Sequence, residues 1–342
     1  MTITIKDVAA QAGVSAKTVS RVINQEAHVR PELRDAVMKV VEALGYRPNA
    51  FARSLSSSRS YLLGLFLHDP AWSSYAVAMQ RGALMQCRKR NYHLVVEPLD
   101  ISSEGWERQM MTSIDALRLD GAILTPPVCR HGPLLDRLEA LKLPYVRISP
   151  GERLERSGVV DIDEERAAYD MTRSLIDLGH RDIGFIKGIP SHAATPKRLK
   201  GYLEAMRRAG LSVIPDHVAP GDFTFRSGIE AGEAMLRGPS RPTAIFASND
   251  DMALGVSAAA AKLGLTVPTD LSIAGFDDTA TARIAWPPIT TVRQPMEEMA
   301  AAAVDILIDP VYRNAPGDPR FQRELSYALI TRESTAPPAA SS

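Results

Sequence analysis

Ser15, Ala16, Lys17, Thr18, Ser20, Arg21 and Asn24 crowd a stretch without acids; none falls between Asp7 and Glu26. Val19, Val22 and Ile23 in the same stretch recur at helical spacing, which turns the polar residues outward. Short hydroxyls and cations near a helix start suit contact with a DNA groove. Arginine at position 21 can bond guanine O6 and N7 together, Lys17 can do so less rigidly, and Ser or Thr can hold phosphates. An ordinary solvated face would more often carry Glu/Lys pairs four residues apart. A second polar set follows short apolar runs: His68-Asp69, Thr125, Ser149, Ser248-Asn249-Asp250 and Phe276-Asp277-Asp278. Side chains at the carboxyl ends of buried parallel strands are placed to bind a small molecule. For Asn249 or Asp250, capping the next helix is the simpler reading.

The elements that must hold the first set are short helices. Thr4 precedes Asp7 by three residues, close to a capping box, and Val8, Ala9 and Ala12 then recur at helical spacing. Ala12-Gly13-Val14 makes a turn and Ser15 caps the next helix. Two short helices around a Gly-containing turn form a helix-turn-helix, although an αα-hairpin has the same spacing. A third helix is predicted from about Pro31 to Leu44, buried through Leu33, Val37, Val40, Val41 and Leu44, with Gly45 as its stop. Tyr46-Arg47-Pro48-Asn49 then breaks the pattern, Ala50–Leu55 can form a further turn or two, and Ser56–Ser60 reads as a linker. Residues 1–60 hold nine Lys/Arg against five Asp/Glu, so this segment is basic while the chain as a whole is neutral.

Thr4–Ala9, Ala12–Ser15, Thr18–Asn24 and Gly45–Asn49 together resemble the DNA-binding head of the lactose-repressor (LacI/GalR) family, and Ala52-Arg53-Ser54-Leu55 resembles its hinge helix, here about residues 49–57. The resemblance implies that Ala16, Lys17 and Arg21 read bases and that Leu55 is the apolar wedge in the minor groove, kinking the duplex where base steps are flexible. Thr4, Ser15, Thr18, Ser20, Asn24, Tyr46, Asn49 and Ala52 join them as expected DNA contacts. Arg30 stands where that family usually has a Ser or Thr cap, a loss of about 1 kcal/mol of local stability.

From Tyr61 onward the apolar runs Tyr61–Leu67, Leu94–Val96, Ala122–Leu124, Tyr145–Ile148, Ile183–Ile186, Ala244–Ala247 and Leu271–Ala274 alternate with helical stretches at Arg166–Leu178, Lys200–Ala209 and Asp251–Leu263, each closed by a glycine. That is an α/β pattern with parallel sheets, and its length predicts two lobes. The segments Leu178–Arg181, Arg198–Tyr202, Ser248–Gly255, Gly275–Asp278 and Pro288–Pro295 resemble the same family's regulatory domain, itself similar to periplasmic sugar-binding proteins. The expected architecture is thus an all-α head at 1–60 and a two-lobed periplasmic-binding-protein-like α/β domain at 61–335. One lobe takes about 61–162 plus 295–321, the other 163–294 plus 322–335, and 336–342 is a disordered tail. By resemblance Arg198, Phe223, Asn249, Asp277 and Gln294 line the effector pocket, and Ser149 stands where several relatives have an acid. Arg198 and Asp277 can hold hydroxyls from two sides, and Asn249 can donate and accept. Phe223 and Trp286, with Tyr75 or Trp72, offer flat faces for a sugar ring, although core packing more often accounts for any one of them alone. Asp69 completes the expected set. A sugar or glycoside is the leading effector; purine bases and nucleosides are the alternative.

The chain has two cysteines, Cys87 and Cys129, no metal-ligand spacing, and none of the nucleophile-elbow, phosphate-loop or zinc-protease motifs. Adjacent Asp277 and Asp278 cannot flank one glycosidic bond at the separation hydrolysis needs. No enzyme, metal or cofactor is therefore expected. The apolar runs are too short to cross a membrane and the start lacks an export signal, so the expected setting is the cytoplasm. That also counts against a solute-binding protein feeding a transporter, the competing class. The expected partners are a double-stranded DNA operator, a small-molecule effector and a second copy of the chain.

Overall fold

The computed structural model describes residues 3–23, 29–46, 59–68 and 73–339. The hinge helix expected at about 49–57, and with it Asn49, Ala52 and Leu55, lies outside the described residues, as do Asn24, Asp69 and Trp72. The chain divides into two units, Met1–Tyr61 and Leu62–Ser342.

The described residues of the first unit form α1 (Ile5–Gln11), α2 (Ala16–Ile23) and α3 (Pro31–Ala43). Val8, Ala9, Val19, Val22 and Val37 form its small core. The Asp7 carboxylate accepts from the backbone N–H and the hydroxyl of Thr4, each at 2.8 Å, and so fixes the start of α1. Gly13 turns the chain between α1 and α2 with φ +65°, and a Cβ there would meet nothing within 4 Å, so backbone conformation rather than space favours glycine. Arg30 supplies no side-chain cap to α3, which instead starts on Pro31.

The second unit holds two six-stranded sheets. One contains β1 (Leu62–Leu67), β2 (His93–Pro98), β3 (Gly121–Leu124), β4 (Tyr145–Ile148), β5 (Gly158–Asp161) and, from far along the chain, β11 (Gln322–Glu324). Its order is β11-β5-β4-β3-β1-β2 and every pairing is parallel. The other contains β6 (Ile183–Ile186), β7 (Val218–Ala219), β8 (Ala244–Ala247), β9 (Ser272–Asp277), β10 (Thr290–Arg293) and β12 (Ala328–Ile330). Its order is β12-β10-β9-β8-β6-β7, and β12 alone runs antiparallel to its neighbour. Leu65, Phe66, Phe185 and Phe246 are fully buried because helices cover both faces of each sheet, which is why these strands read as continuous apolar runs.

Helices α4 (Ser74–Lys89), α5 (Trp106–Leu117), α6 (Gly132–Ala140) and, from beyond β10, α12 (Met296–Ile308) belong with the first sheet. Helices α7 (Glu164–Asp177), α8 (Ala194–Arg208), α9 (Phe225–Arg237), α10 (Asp250–Lys262) and the short α11 (Ala280–Ile284) belong with the second. Helix α8 begins six residues before the expected Lys200, because Pro196 falls in its first turn, where a missing N–H costs nothing. Arg198 is thereby on a helix rather than in a loop.

The first sheet reaches three residues past the boundary expected at 321: Gln322–Glu324 pairs with β5, and only then does the chain return to the second sheet. The tail expected to be disordered from 336 is anchored at its first residue. The Ala336 carbonyl accepts from Ser272 Oγ at 3.0 Å and lies 2.9 Å from His180 Nε2, and its N–H donates to Ser272 Oγ at 3.1 Å. Such backbone pairing gives a tail without an apolar pattern a fixed seat.

Candidate functional site

Helix α8 packs against α7 through Gly201, where a Cβ would lie 2.1 Å from the Glu165 carbonyl oxygen. This close approach sets Arg198 on α8 against Glu164 at the start of α7. Arg198 Nε donates to Glu164 Oε2 at 2.7 Å, and both side chains are almost fully buried. The guanidinium also donates to the Ser248 carbonyl, stands 4.0 Å from Asp277 Oδ1, and lies 3.5 Å from the centroid of the Phe276 ring. Burial works against its charge, but Glu164 and Asp277 outweigh burial and raise its pKa.

Asp277 ends β9 with φ +113°, and Gln294, just past β10, donates to its Oδ1 at 2.6 Å. Burial raises the Asp277 pKa well above the carboxylate range; Arg198 and the Gln294 bond oppose this, while Asp250 and Glu164 add to it. Its neighbour Asp278 points into a different cluster, held by Arg293, Arg332 and Arg283. Adjacent carboxylates thus serve different ends: Asp277 meets Arg198 and Gln294, and Asp278 ties β10 to the C-terminal segment.

Asn249 caps α10, its Oδ1 accepting from Met252 N at 2.9 Å, while its Nδ2 donates to the Phe223 carbonyl at 2.9 Å. The simpler expectation, capping, is therefore realised, and the same amide also positions Phe223. Phe223 holds φ +68°, and its ring occupies the space over Gly188, where a Cβ would come within 1.9 Å of it. Only glycine leaves room for that ring. Ser149 lies just past β4 with φ +45° and is nearly buried. Tyr75, in the first turn of α4, is half-buried. Burial raises its pKa, Cys129, Asp277 and Glu164 add to this and Arg198 opposes it, so this first-lobe hydroxyl lies within electrostatic reach of the second lobe's polar cluster.

The structure thus brings Arg198, Asp277, Gln294, Asn249, Phe223 and Tyr75 to one region. Trp286 does not join them. It is 87% exposed, beside Ile284 at 81%, because Ala285 and Ile289 take the buried positions on either side. Glu164 and His192 were not expected. An acid in the first turn of a helix reads as dipole compensation, and a single histidine in a loop carries no periodic signal. His192 lies between β6 and α8, 5.3 Å from the Phe223 ring, and its Nε2 is buried without a hydrogen-bond partner among the described residues. Arg130, from the first lobe, spans to the neighbouring Ser191 carbonyl at 3.0 Å while paired with Glu152.

In the first unit, Lys17 and Arg21 are exposed four residues apart on α2, while Ala16, Thr18 and Ser20 are half-buried beside them. Ser15 Oγ accepts from Thr18 N at 3.1 Å and lies 2.9 Å from Thr18 Oγ1, so these two hydroxyls fix the helix start. Tyr46 packs on the three-helix core, and burial raises its pKa.

Residues 4–49 match the profile described as bacterial regulatory proteins, lacI family, and residues 172–335 match a periplasmic binding protein-like domain. Catabolite control protein A of Priestia megaterium is 37% identical over 308 residues, covering 90% of this chain and 92% of that one. This chain belongs to the lacI family of bacterial regulatory proteins. The ribose operon repressor of Escherichia coli K12 is 33% identical over 325 residues, covering 93% of this chain and 96% of its own. The transcriptional repressor PurR of Edwardsiella ictaluri is 36% identical over 316 residues, covering 90% of each. Among solved structures, a complex of the regulator CelR with cellobiose aligns with a TM-score of 0.73 at 31% identity, over 97% of this chain and 99% of that one. The lac repressor dimer bound to operator and the anti-inducer ONPF aligns with a TM-score of 0.74 at 26% identity, over 98% of this chain and all of the other. No described helix is long and apolar enough to cross a membrane.

Proposed function

We propose that this lacI-family protein is a transcriptional repressor that binds a near-palindromic operator as a homodimer and responds to a sugar or glycoside held in the cleft. One observation carries the effector reading: a buried Arg198–Glu164–Asp277–Gln294 cluster is bonded to the Ser248 carbonyl, and the adjoining Asn249 amide holds the Phe223 carbonyl. Fixed donors and acceptors next to a flat apolar face suit a polyhydroxylated ring. The cellobiose complex of a relative 31% identical supports the same class. A purine or nucleoside is the second reading, favoured by the PurR relatives. The protein acts in the cytoplasm and is not an enzyme.

The exposed Lys17 and Arg21 of α2 read base edges from the major groove, with the hydroxyls of Ser15, Thr18 and Ser20 at phosphates. Asn24, Tyr46, Asn49 and Ala52 support the contact, and Leu55 enters the minor groove. The dimer forms through the second unit, and the Ile284–Trp286 ridge is the surface we assign to it. A ridge of that exposure is costly to leave in water and fits a self-complementary interface. Closing the cleft on the effector turns one lobe against the other and changes the spacing of the two heads, by no more than the ligand's differential affinity for the two states. Induction is the proposed sense.

Calorimetry of the purified protein against neutral sugars, glycosides and purines tests the effector. A sugar that binds, and whose binding is lost in Asp277→Ala, supports the reading. A purine that binds in its place moves the protein to the second one.

A further inference from the structure

Most polar atoms of the cleft are already engaged. Arg198 is bonded to Glu164 and the Ser248 carbonyl, Gln294 to Asp277, Asn249 to Met252 and Phe223, and Arg130 to Glu152 and the Ser191 carbonyl. His192 Nε2 differs: among the described residues it is the buried side-chain nitrogen or oxygen with no hydrogen-bond partner. Its ring leans on Phe223 at 5.3 Å and 47°. The groups that act on it electrostatically are His68 and Arg130 from the first lobe and Arg198 from its own, so it lies within reach of both lobes. A buried nitrogen left unmet is costly, and native structures rarely keep one without a purpose.

We propose that His192 Nε2 is an effector contact that hydrogen-bonds a ligand hydroxyl, and that through it the cleft selects an uncharged sugar or glycoside over the phosphorylated counterpart. The proposal rests on the cleft being the effector site. Burial foremost, then His68, Arg198 and Arg130, push the His192 pKa down to about 4. At neutral pH the ring therefore offers a donor or an acceptor, which a hydroxyl satisfies, but no charge to compensate a phosphate. The arginines nearby are already bonded to carboxylates and carbonyls, and Glu164 adds negative charge beneath. A buried dianion needs partners that this arrangement has committed elsewhere. A phosphate bound there would have to draw a proton onto His192; a hydroxyl would not.

The test is calorimetry of the full chain with neutral mono- and disaccharides and their 6-phosphates, in two buffers of different ionisation heat. The parent is compared with His192→Ala, His192→Gln and Arg198→Met, each checked for folding by its melting curve. The expected result is a neutral sugar that binds without proton uptake, about tenfold more weakly in His192→Ala, with most of the loss recovered in His192→Gln. Tighter binding of the phosphorylated compound with proton uptake overturns the proposal. So does a folded parent that binds no neutral sugar, or a His192→Ala variant that binds as the parent does. If Arg198→Met also binds unchanged, the cleft reading itself is wrong. If binding is lost in Arg198→Met but kept in His192→Ala, only the role of His192 falls.

Discussion

Replacing Arg198 by methionine separates the stability of the cleft from its function. Arg198 and Glu164 are 5% and 2% exposed and meet at 2.7 Å. Removing the cation leaves a carboxylate buried without its partner, a change that costs about 3–5 kcal/mol. For a unit of this size each kcal/mol lowers Tm by about 2–4 °C, so Arg198→Met is expected to melt roughly 10 °C early. The loss should shrink as pH falls from 7 towards 5, because a stranded carboxylate takes up a proton more readily in the fold than in the unfolded chain. Adding Glu164→Leu removes the stranded charge and should recover most of the stability, since an apolar pair of similar volume often equals a buried ion pair. Effector binding should stay lost in the double variant, because the Arg198 guanidinium is gone and only the Gln294 amide, already bonded to Asp277, remains beside it. Melting curves at several pH values, with effector calorimetry alongside, read both effects. A single variant destabilised by less than about 1 kcal/mol, or a double variant that binds effector, would refute the reasoning.

Trp286→Ser should raise the dimer dissociation constant by at least about thirtyfold, the loss of a buried aromatic anchor of roughly 2 kcal/mol, as read by sedimentation; an unchanged dimer removes the ridge from the interface. Arg21→Ala should lower operator affinity and relax preference at one base pair by about 1–3 kcal/mol, measured by competition against single-base operator variants, while uniform weakening across all of them would make Arg21 a phosphate contact. The depressed pKa of His192 has a sign that can be checked. Because the folded value of about 4 lies below the free value of 6.5, the unfolded chain binds more protons between them, and stability is lost as pH falls through that window. His192→Gln should flatten the fall by about 1–3 kcal/mol in melting experiments, and an unchanged pH profile would show that His192 is not buried uncharged.

Periodicity and turn chemistry carried most of the architecture. Val8, Val19, Val22 and Val37 were legible as one small core because helical spacing allows few other arrangements, and Gly13 and Gly45 marked turns that need positive φ. Seven of the described strands showed as apolar runs because both faces of each sheet are covered; β5, β7, β10, β11 and β12, which are short or carry polar residues, did not. Of the polar residues after those runs, Ser248 and Asp277 come to Arg198, since strand ends point to one side of a parallel sheet, while Asp278 does not. What the sequence could not rank was direction. Asp277 and Asp278 are chemically identical neighbours, and only their backbone angles send one to Arg198 and the other to three arginines. Trp286 read as a ring for stacking, yet the burial of Ala285 and Ile289 turns it to the surface. Glu164 lies 34 residues from Arg198, and His192 across the cleft from His68, so their meeting depends on how α7, α8 and the two sheets pack. Local spacing fixes which residues share a helix face or a strand end; long-range packing decides which charges lose water, and therefore which of them must find a partner.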